Sequence, residues 1–175
     1  WLRDYLEDQG RGSDEIRIVT LQGTLGSSAQ IGRTEGFDEI LAAQGNWNML
    51  ERMSGDFTLT KGREVMEYFL NTYEDIDVVV CENDNMAFGA IEAIQDAGKT
   101  CGPDGDMILI SFDAAKSAFE AMQRGELNMD VECNPLLGPM VEEIIQKLER
   151  GEDVDRVQYV EEKCFDAFMD LEGIL

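Results

Sequence analysis

The feature that most constrains the fold of this chain is a regular alternation of short apolar runs with longer amphipathic segments. Runs rich in β-branched and other apolar residues predict strands, and each is followed by helical spacing. The predicted strands cover residues 16–21, 47–53, 78–81 and 107–112. The last two are apolar at nearly every position, which is typical of a parallel sheet covered by helices on both faces. We therefore predict an α/β fold with a doubly wound parallel sheet.

Segments with helical periodicity follow these runs, and the first residues of the chain show the same pattern. The predicted helices cover residues 27–44, 59–73, 85–97, 115–124 and 135–150. Four of them are followed by a glycine that suits a left-handed closing position: Gly45, Gly98, Gly125 and Gly151. Pro135 suits the first turn of the last helix, where a missing N–H group is tolerated. Because Trp1 already lies within a helical pattern, we expect the chain to be part of a longer protein.

The acidic composition excludes several classes of function. The 175 residues include 14 Lys and Arg, 37 Asp and Glu, and no His, which gives a formal net charge of −23. Such a chain repels phosphate backbones, so we expect no nucleic-acid partner. Without His there is no Ser-His-Asp triad, no Cys-His pair and no His-ligated metal, and we expect no enzyme.

Cysteine spacing and the acidic segments give no sign of a metal or a cofactor. The cysteines are Cys81, Cys101, Cys133 and Cys164. They form no C-x-x-C pair of the kind that binds zinc or performs redox chemistry. Two disulfides could form in an oxidising compartment, although we expect mostly free thiols. The acidic run within residues 142–153 lacks the pattern of a calcium loop, and we expect it to be a solvated helix face.

Polar and aromatic residues follow the predicted strands, at the edge where open parallel sheets bind ligands. Arg33 lies two turns into the first inter-strand helix, Phe57 follows the second strand, Asn83 the third and Asp113 the fourth. Planar guanidinium, amide and carboxylate groups each suit two adjacent hydroxyls, and an aromatic ring suits the C–H face of a sugar. The set therefore favours a polyol ligand over a phosphate or a metal.

Each of these residues also has a purely structural interpretation. Asn83 and Asp84 are as well suited to capping the following helix as to holding a ligand, and Asp113 has the same ambiguity. Arg33 could be a solvated or ion-paired surface residue, and Phe57 could belong to the core. A small enzyme that uses Asp84 and Asp113 as acid and base is a further alternative, although nothing in the spacing requires catalysis.

Five segments carry a resemblance to a known family. They are LQGTLGSSAQIGRTEGF at 21–37, SGDFTLTKGREVMEYF at 54–69, CENDNMAFGAIEAIQDAGK at 81–99, ISFDA at 110–114 and ECNPLLGP at 132–139. In order and spacing they resemble the substrate-binding proteins of sugar ABC transporters with the type I periplasmic-binding fold, the ribose- and galactose-binding group. The motifs LQGT, SGDFT and KGREVME most resemble the galactofuranose-binding branch.

The resemblance implies roles for individual residues. Arg33, before T-E-G-F, would contact sugar hydroxyls, and Phe57 in G-D-F-T would pack on the sugar ring. Asn83 would be a hydrogen-bonding ligand, and Asp113 would bind two hydroxyls. Where ribose binders place a Gln, this chain reads Glu-Cys-Asn at 132–134, so either Cys133 or Asn134 would face the ligand, and Asn134 is our candidate.

The resemblance also implies an organisation and a biological role. Residues 1–133 would form the carboxyl-side lobe, 134–158 a helix and strand of the other lobe, and 159–175 a return segment and tail. The whole protein would hold a monosaccharide, such as galactofuranose, between two lobes and deliver it to the permease of an ABC importer. It would be periplasmic or extracellular, or a membrane-anchored lipoprotein. The alternative is the effector-binding domain of a lac-repressor-type transcription regulator.

The last predicted helix, at residues 135–150, has a wide apolar face that the missing lobe would cover. Such a face seldom stays exposed. We expect it to fold back on the sheet or to pair with another copy of the chain, which would give a homodimer.

Overall fold

A computed structural model of the protein describes residues 1–171 and 173. Over these residues the strands form one sheet in the order β2-β1-β3-β4-β5-β6. The strands are β1 (Ile16–Gln22), β2 (Trp47–Ser54), β3 (Val78–Cys81), β4 (Ile108–Asp113), β5 (Met129–Glu132) and β6 (Cys164–Asp166). Pairing is parallel from β2 to β5, and β6 pairs antiparallel with β5. The predicted doubly wound α/β sheet is confirmed, and β5 and β6 are additions to it.

The helices lie where the sequence predicts them, with two corrections at their ends. They are α1 (Leu2–Asp8), α2 (Ser28–Ala43), α3 (Leu59–Thr72), α4 (Asp84–Asp96), α5 (Lys116–Gln123) and α6 (Gly138–Glu149). The prediction that Pro135 starts the last helix is wrong, because α6 begins at Gly138 with Pro139 in its first turn. Gly45 is not left-handed, because α2 ends in the extended residue Gln44, whereas the other three predicted glycines have positive φ.

Helices cover both faces of the sheet, which explains why the central strands are apolar throughout. Successive strand residues point to opposite faces. Val79 and Leu109 pack with α3, α4 and α5 in one cluster, whereas Val78 and Val80 pack with α1 and α2 in the other. The carboxyl ends of β1 to β4 are therefore held at one edge by cores on both sides.

Two glycines let α3 and α4 approach closely. A Cβ atom on Gly89 would lie 2.2 Å from the backbone oxygen of Leu59, and one on Gly62 would lie 2.6 Å from Cα of Met86. The contacts are with backbone, so no side-chain rotation relieves them. This packing positions α4, and only two residues separate its start from the end of β3.

Helix α6 stands apart from this core. It contains no buried residue, so the expectation that it folds back on the sheet is wrong. Most of its apolar side chains and those just before it are exposed, namely Leu136, Leu137, Val141, Ile145 and Leu148, and Met140 and Ile144 are half-buried. Pairing with another copy stays a prediction. The end of the predicted tail, at residues 172, 174 and 175, lies outside the described residues.

No helix in the described part of the chain combines the length and the apolar character that crossing a membrane requires. All four cysteines, which lie within that part, are free: Cys81 and Cys101 are buried, and Cys133 and Cys164 are exposed.

Candidate functional site

The candidate site lies at the sheet edge formed by the carboxyl ends of β1 to β4. Four of the five predicted residues meet there through a continuous series of contacts. Arg33 contacts Asp113 and the backbone of residue 82, and Asn83 contacts the backbone of Phe57. Because neighbouring parallel strands end at the same edge, residues far apart in the chain become neighbours.

Arg33 is the centre of this arrangement and is not a solvated surface residue. Its Nη2 donates to Oδ1 of Asp113 at 2.8 Å, and its Nη1 donates to the backbone oxygen of Glu82. The guanidinium also lies 5.1 Å from the centre of the Phe112 ring, a favourable cation–π distance. With its side chain only 14% exposed, Arg33 is held in one orientation by three different groups.

Asp113 sits in a strained turn at the end of β4. Its φ is 119° and that of Ala114 is 55°, values that residues other than glycine rarely adopt. The turn aims the Asp113 carboxylate at Arg33. Burial raises the pKa of Asp113, and the hydrogen bond and charge of Arg33 offset part of that rise. The capping interpretation of Asp113 is wrong, because the residue before α5 is Ala115.

Phe57 is placed by a second strained turn, after β2. Asp56 and Phe57 have φ values of 56° and 59°, and Thr24 Oγ1 donates to Oδ1 of Asp56 at 2.6 Å. The Phe57 ring lies directly over Gly23, where an added Cβ would fall 1.9 Å from the ring. The ring is half-buried against the core. One side of the ring packs inward, as the core interpretation predicts. A role for the rest of the ring as a platform for a sugar stays a prediction.

Asn83 is the N-cap of α4, as the structural interpretation of its position predicts. Its Oδ1 accepts from the backbone N–H of Met86 at 3.0 Å, and its Nδ2 donates to the backbone oxygen of Phe57 at 3.3 Å. The capping role and the link to Phe57 fix the amide at the edge. A ligand role for the remaining amide hydrogen stays a prediction.

Glu82 is a residue of the site that the sequence reasoning missed. It is 1% exposed, and its carboxylate accepts from the Gly23 N–H at 2.7 Å and from Thr34 Oγ1 at 2.5 Å. Burial raises its pKa, and these hydrogen bonds oppose the rise. Glu82 thus links Thr34 on α2, the residue after Arg33, to the ends of β1 and β3. Its position directly after an apolar strand was the available signal.

A pair of buried carboxyl groups lies beneath the Asp113 turn. Asp84 accepts from Ser111 Oγ at 2.7 Å and from the Ala115 N–H at 2.9 Å. Asp130, on β5, accepts from the Ala114 N–H at 3.3 Å. Burial, and then the neighbouring charge of Asp84, raise the pKa of Asp130 to about 9. Since Asp84 is buried and already accepts from two donors, the interpretation of Asp84 and Asp113 as an open acid–base pair has no support.

Asn134, the fifth candidate, does not join the other four. Its Oδ1 accepts from the Leu136 N–H at 2.9 Å, in the turn that leads into α6. Cys133 is exposed, and its N–H donates to the backbone oxygen of Asp113 at 3.3 Å. The described contacts therefore link position 133, rather than the Asn134 side chain, to the edge.

A largely apolar cavity of about 650 Å³ borders this edge, between α1, α2 and the sheet. Its lining includes Phe37, Trp47, Ile110 and Met129, and Arg33 also lines it. An apolar lining does not match the hydroxyls of a polyol, so the strand-end edge remains the candidate site. Over residues 1–171 and 173, no group of three or more His, Cys, Asp or Glu residues is placed to hold a metal ion.

An open α/β sheet with polar groups at its strand ends defines a class of ligand-binding proteins, and the sequence places this chain within it. Residues 1–136 match the family described as "Periplasmic binding protein domain". The chain belongs to that family, which confirms the resemblance seen in the strand-end motifs.

Its relatives are sugar-binding proteins. The galactofuranose-binding protein YtfQ of Escherichia coli is 39% identical over 140 residues, which cover 78% of this chain and 43% of the relative. The ribose import binding protein RbsB of Salmonella typhimurium is 33% identical over 152 residues, covering 86% of this chain and 49% of the relative. The chain thus spans about half the length of the relatives it matches.

A solved structure supports the same relationship. A Mycobacterium smegmatis protein in complex with β-D-fucofuranose superposes with a TM-score of 0.82 at 36% sequence identity. The match covers 94% of this chain and 54% of that protein.

Proposed function

We propose that the protein containing this chain is the sugar-binding receptor of an ABC importer, and that Arg33, Phe57, Asn83 and Asp113 form one wall of its site. The observation that carries the proposal is the Arg33–Asp113 ion pair, 2.8 Å long, at the strand-end edge, in which Arg33 is largely shielded and Asp113 is partly open. The pair presents oriented donors and acceptors at the edge where ligands of open α/β sheets bind.

The chemistry of this wall fits a monosaccharide. A guanidinium supplies only donors and a carboxylate only acceptors, so a sugar hydroxyl can donate to Asp113 while it accepts from Arg33. Phe57 offers an apolar surface for the C–H face of the ring. Galactofuranose is the leading candidate, because one relative is named for that sugar and another was solved with a furanose.

We propose that residues 1–133 are the carboxyl-side lobe, that 134–158 belong to a second lobe, and that 159–175 form a return segment and tail. The antiparallel pairing of β5 with β6 supports this division, because the chain leaves the sheet after one strand and returns on the other. The exposed apolar face of α6 supports it too, since the remainder of the second lobe would cover that face. The lobes would close over the sugar by a hinge motion.

When the 175-residue chain is isolated, another copy would take the place of the second lobe on α6 and give a homodimer. Sedimentation should then show a dimer for the isolated chain and a monomer for the full-length protein. A monomeric isolated chain at high concentration would contradict pairing through α6. Asn134, where the chain passes from residues 1–133 into the second-lobe segment, is retained as a ligand candidate.

The other partners follow from the same role. The loaded receptor would dock on the membrane permease of its importer, in the periplasm or outside the cell, with a lipid anchor in the lipoprotein form. The role requires no catalysis, cofactor or nucleic acid. A net charge of −23 disfavours DNA, and the relatives are named for sugar binding and import, so the transcription-regulator alternative is not retained.

Calorimetric titration of the full-length protein tests this proposal. Galactofuranose, galactopyranose, ribose and arabinose would be titrated into the wild type, Asp113→Ala and, as a matched control, Asp75→Ala. Asp75 also pairs with an arginine, but its side chain is exposed. We expect micromolar or tighter binding of one sugar, lost in Asp113→Ala and retained in Asp75→Ala. No binding across the panel, or unchanged binding by Asp113→Ala, would overturn the proposal.

A further inference from the structure

The strained turn that carries Asp113 rests on two carboxyl groups from other elements. Asp84 on α4 holds the Ala115 N–H, and Asp130 on β5 holds the Ala114 N–H. Asp84 also accepts from Ser111 Oγ on β4. The two backbone amides that follow Asp113 are therefore both bound by buried acids, and no glycine relieves the strain at positions 113 and 114.

These two acids lie beneath the same turn, out of contact with solvent, and the charge of Asp84 acts on Asp130. Asp84 is 3% exposed and Asp130 is 0% exposed. Oδ2 of Asp130 is buried and receives no hydrogen bond. A buried carboxylate oxygen without a donor is costly, whereas a protonated Asp130 would become a donor and Asp84 its acceptor. A proton on Asp130 would also remove the repulsion between the two neighbouring carboxyl groups.

We propose that one proton shared by Asp84 and Asp130 keeps the Asp113–Ala114 turn in its sugar-binding form, so that Asp130 is a positioning residue for Asp113. The inference rests on the proposed function, because it assigns Asp113 to the sugar. Loss of the proton to solvent would place a second negative charge beneath the turn. That charge would repel both Asp84 and Asp113 and push the Asp113 carboxylate out of its place in the turn. The repulsion and the burial outweigh the gain from the Ala114 N–H, which bonds the ionised carboxylate more strongly.

The groups that act on Asp130 come from three sides. Asp84 faces it from α4 and Asp113 from β4, and both disfavour its ionisation. The charge of Asp113 is balanced by Arg33 from α2. On β6 the residue opposite is the apolar Phe165. No cation contacts Asp130 among the described interactions, so a proton is the simplest way to neutralise it.

The test compares three forms of the full-length protein over pH 6 to 10, with galactofuranose as the probe. Asp130→Asn mimics the protonated acid, and Asp130→Ala removes the group that holds the Ala114 N–H. At pH 7 we expect Asp130→Ala to weaken binding about tenfold and Asp130→Asn to rescue it. In the wild type, affinity should fall about tenfold from pH 8 to pH 10, and this fall should be absent in Asp130→Asn.

A second readout needs no ligand. Between the ordinary pKa of an aspartate and the raised pKa of Asp130, near 9, the folded state holds one proton more than the unfolded state. Over that window the unfolding midpoint of the wild type should fall relative to Asp130→Asn as pH rises, and the difference should level off above it. The inference is supported if the wild type and Asp130→Asn differ in this way in the pH dependence of both their sugar affinity and their unfolding midpoint.

Parallel affinity and unfolding profiles for the wild type and Asp130→Asn would overturn the inference while leaving sugar binding intact. No sugar binding at any pH would instead overturn the proposed function, and the positioning role of Asp130 with it. The unfolding profiles then still report whether the shared proton exists, so the two failures are distinguishable.

Discussion

Arg33 and Asp113 are 80 positions apart in the chain, yet Nη2 of the arginine lies 2.8 Å from Oδ1 of the aspartate. The two residues reach each other because the Arg33 side chain extends from α2 to the carboxyl ends of β3 and β4, where it contacts the backbone of Glu82 and the Asp113 carboxylate. The chain has a net charge of −23, yet it holds a largely shielded arginine at the strand-end edge. We interpret this placement as a specific feature of the site. A hydroxyl-bearing ligand would meet donors and acceptors that are already oriented, which reduces the entropy lost on binding.

Replacing Arg33 with alanine should weaken sugar binding by about 2 kcal/mol, roughly thirtyfold, because it removes the guanidinium donors and leaves Asp113 without its ion-pair partner. Calorimetric titration of the full-length protein measures the effect. Arg124→Ala is the matched control, since Arg124 is exposed and pairs with Glu126 at 2.8 Å. Equal losses in both variants would show that Arg33 has no special role.

Replacing Gly23 with alanine should displace the Phe57 ring, because the new Cβ would lie 1.9 Å from it. We expect sugar affinity to fall by about 1 kcal/mol, roughly fivefold, through loss of the ring contact. Gly36→Ala is the control: its Cβ meets nothing within 4 Å, and alanine in a helix interior should raise stability by about 0.5–1 kcal/mol. Unchanged affinity in Gly23→Ala would argue against a ligand contact at Phe57.

Gly89→Ala should destabilise the fold, because its Cβ would lie 2.2 Å from the backbone oxygen of Leu59. The helices α3 and α4 would have to separate, at a cost of about 1–3 kcal/mol. Denaturant unfolding measures this loss. Gly32→Ala, in open space on α2, should not share it, and a wild-type midpoint for Gly89→Ala would contradict the close packing.

Asp77 should make stability depend on pH in the acid range. Burial acts to raise its pKa, but hydrogen bonds from Arg17 and Arg11 outweigh burial and hold the pKa below its usual value. The stabilisation is therefore present above the unfolded-state pKa and is lost as pH falls through the folded-state value. Asp77→Asn should cost about 1–2 kcal/mol at pH 7.

Denaturant unfolding from pH 7 to pH 2 checks the Asp77 prediction. The difference between the wild type and Asp77→Asn should shrink below about pH 4. Asp75→Asn is the control, since the Asp75 side chain is exposed and its ion pair with Arg17 contributes little. A difference that stays constant down to pH 2 would rule out ionisation of Asp77 as its source.

Hydrophobic periodicity was enough to predict most of the fold. The central strands carry near-continuous apolar runs, and their helices have clear start and stop residues. Strand β5 was missed because its four residues, Met129–Glu132, include the buried Asp130, which breaks the apolar pattern. Strand β6 has three residues, too few for a period. The start of α6 was misplaced because two prolines, Pro135 and Pro139, both suit a first turn.

The sequence was enough to predict which residues lie at the edge of the site, but not which buried residues hold them there. Arg33, Phe57, Asn83 and Asp113 could be brought together in advance because parallel strands end side by side. Asn134 could not be placed, since its contacts depend on where α6 begins. The burial of Glu82 and Asp130 depends on neighbours distant in the chain, and left-handed φ values at residues other than glycine have no local sequence signal.

The most direct test of the sugar-binding wall is a crystal structure of the full-length protein with galactofuranose bound. We expect sugar hydroxyls within hydrogen-bonding distance of the Arg33 guanidinium and the Asp113 carboxylate, with the Phe57 ring against the C–H face of the sugar. A sugar bound elsewhere, with the Arg33–Asp113 pair free of ligand, would contradict the assignment of this edge as the binding site.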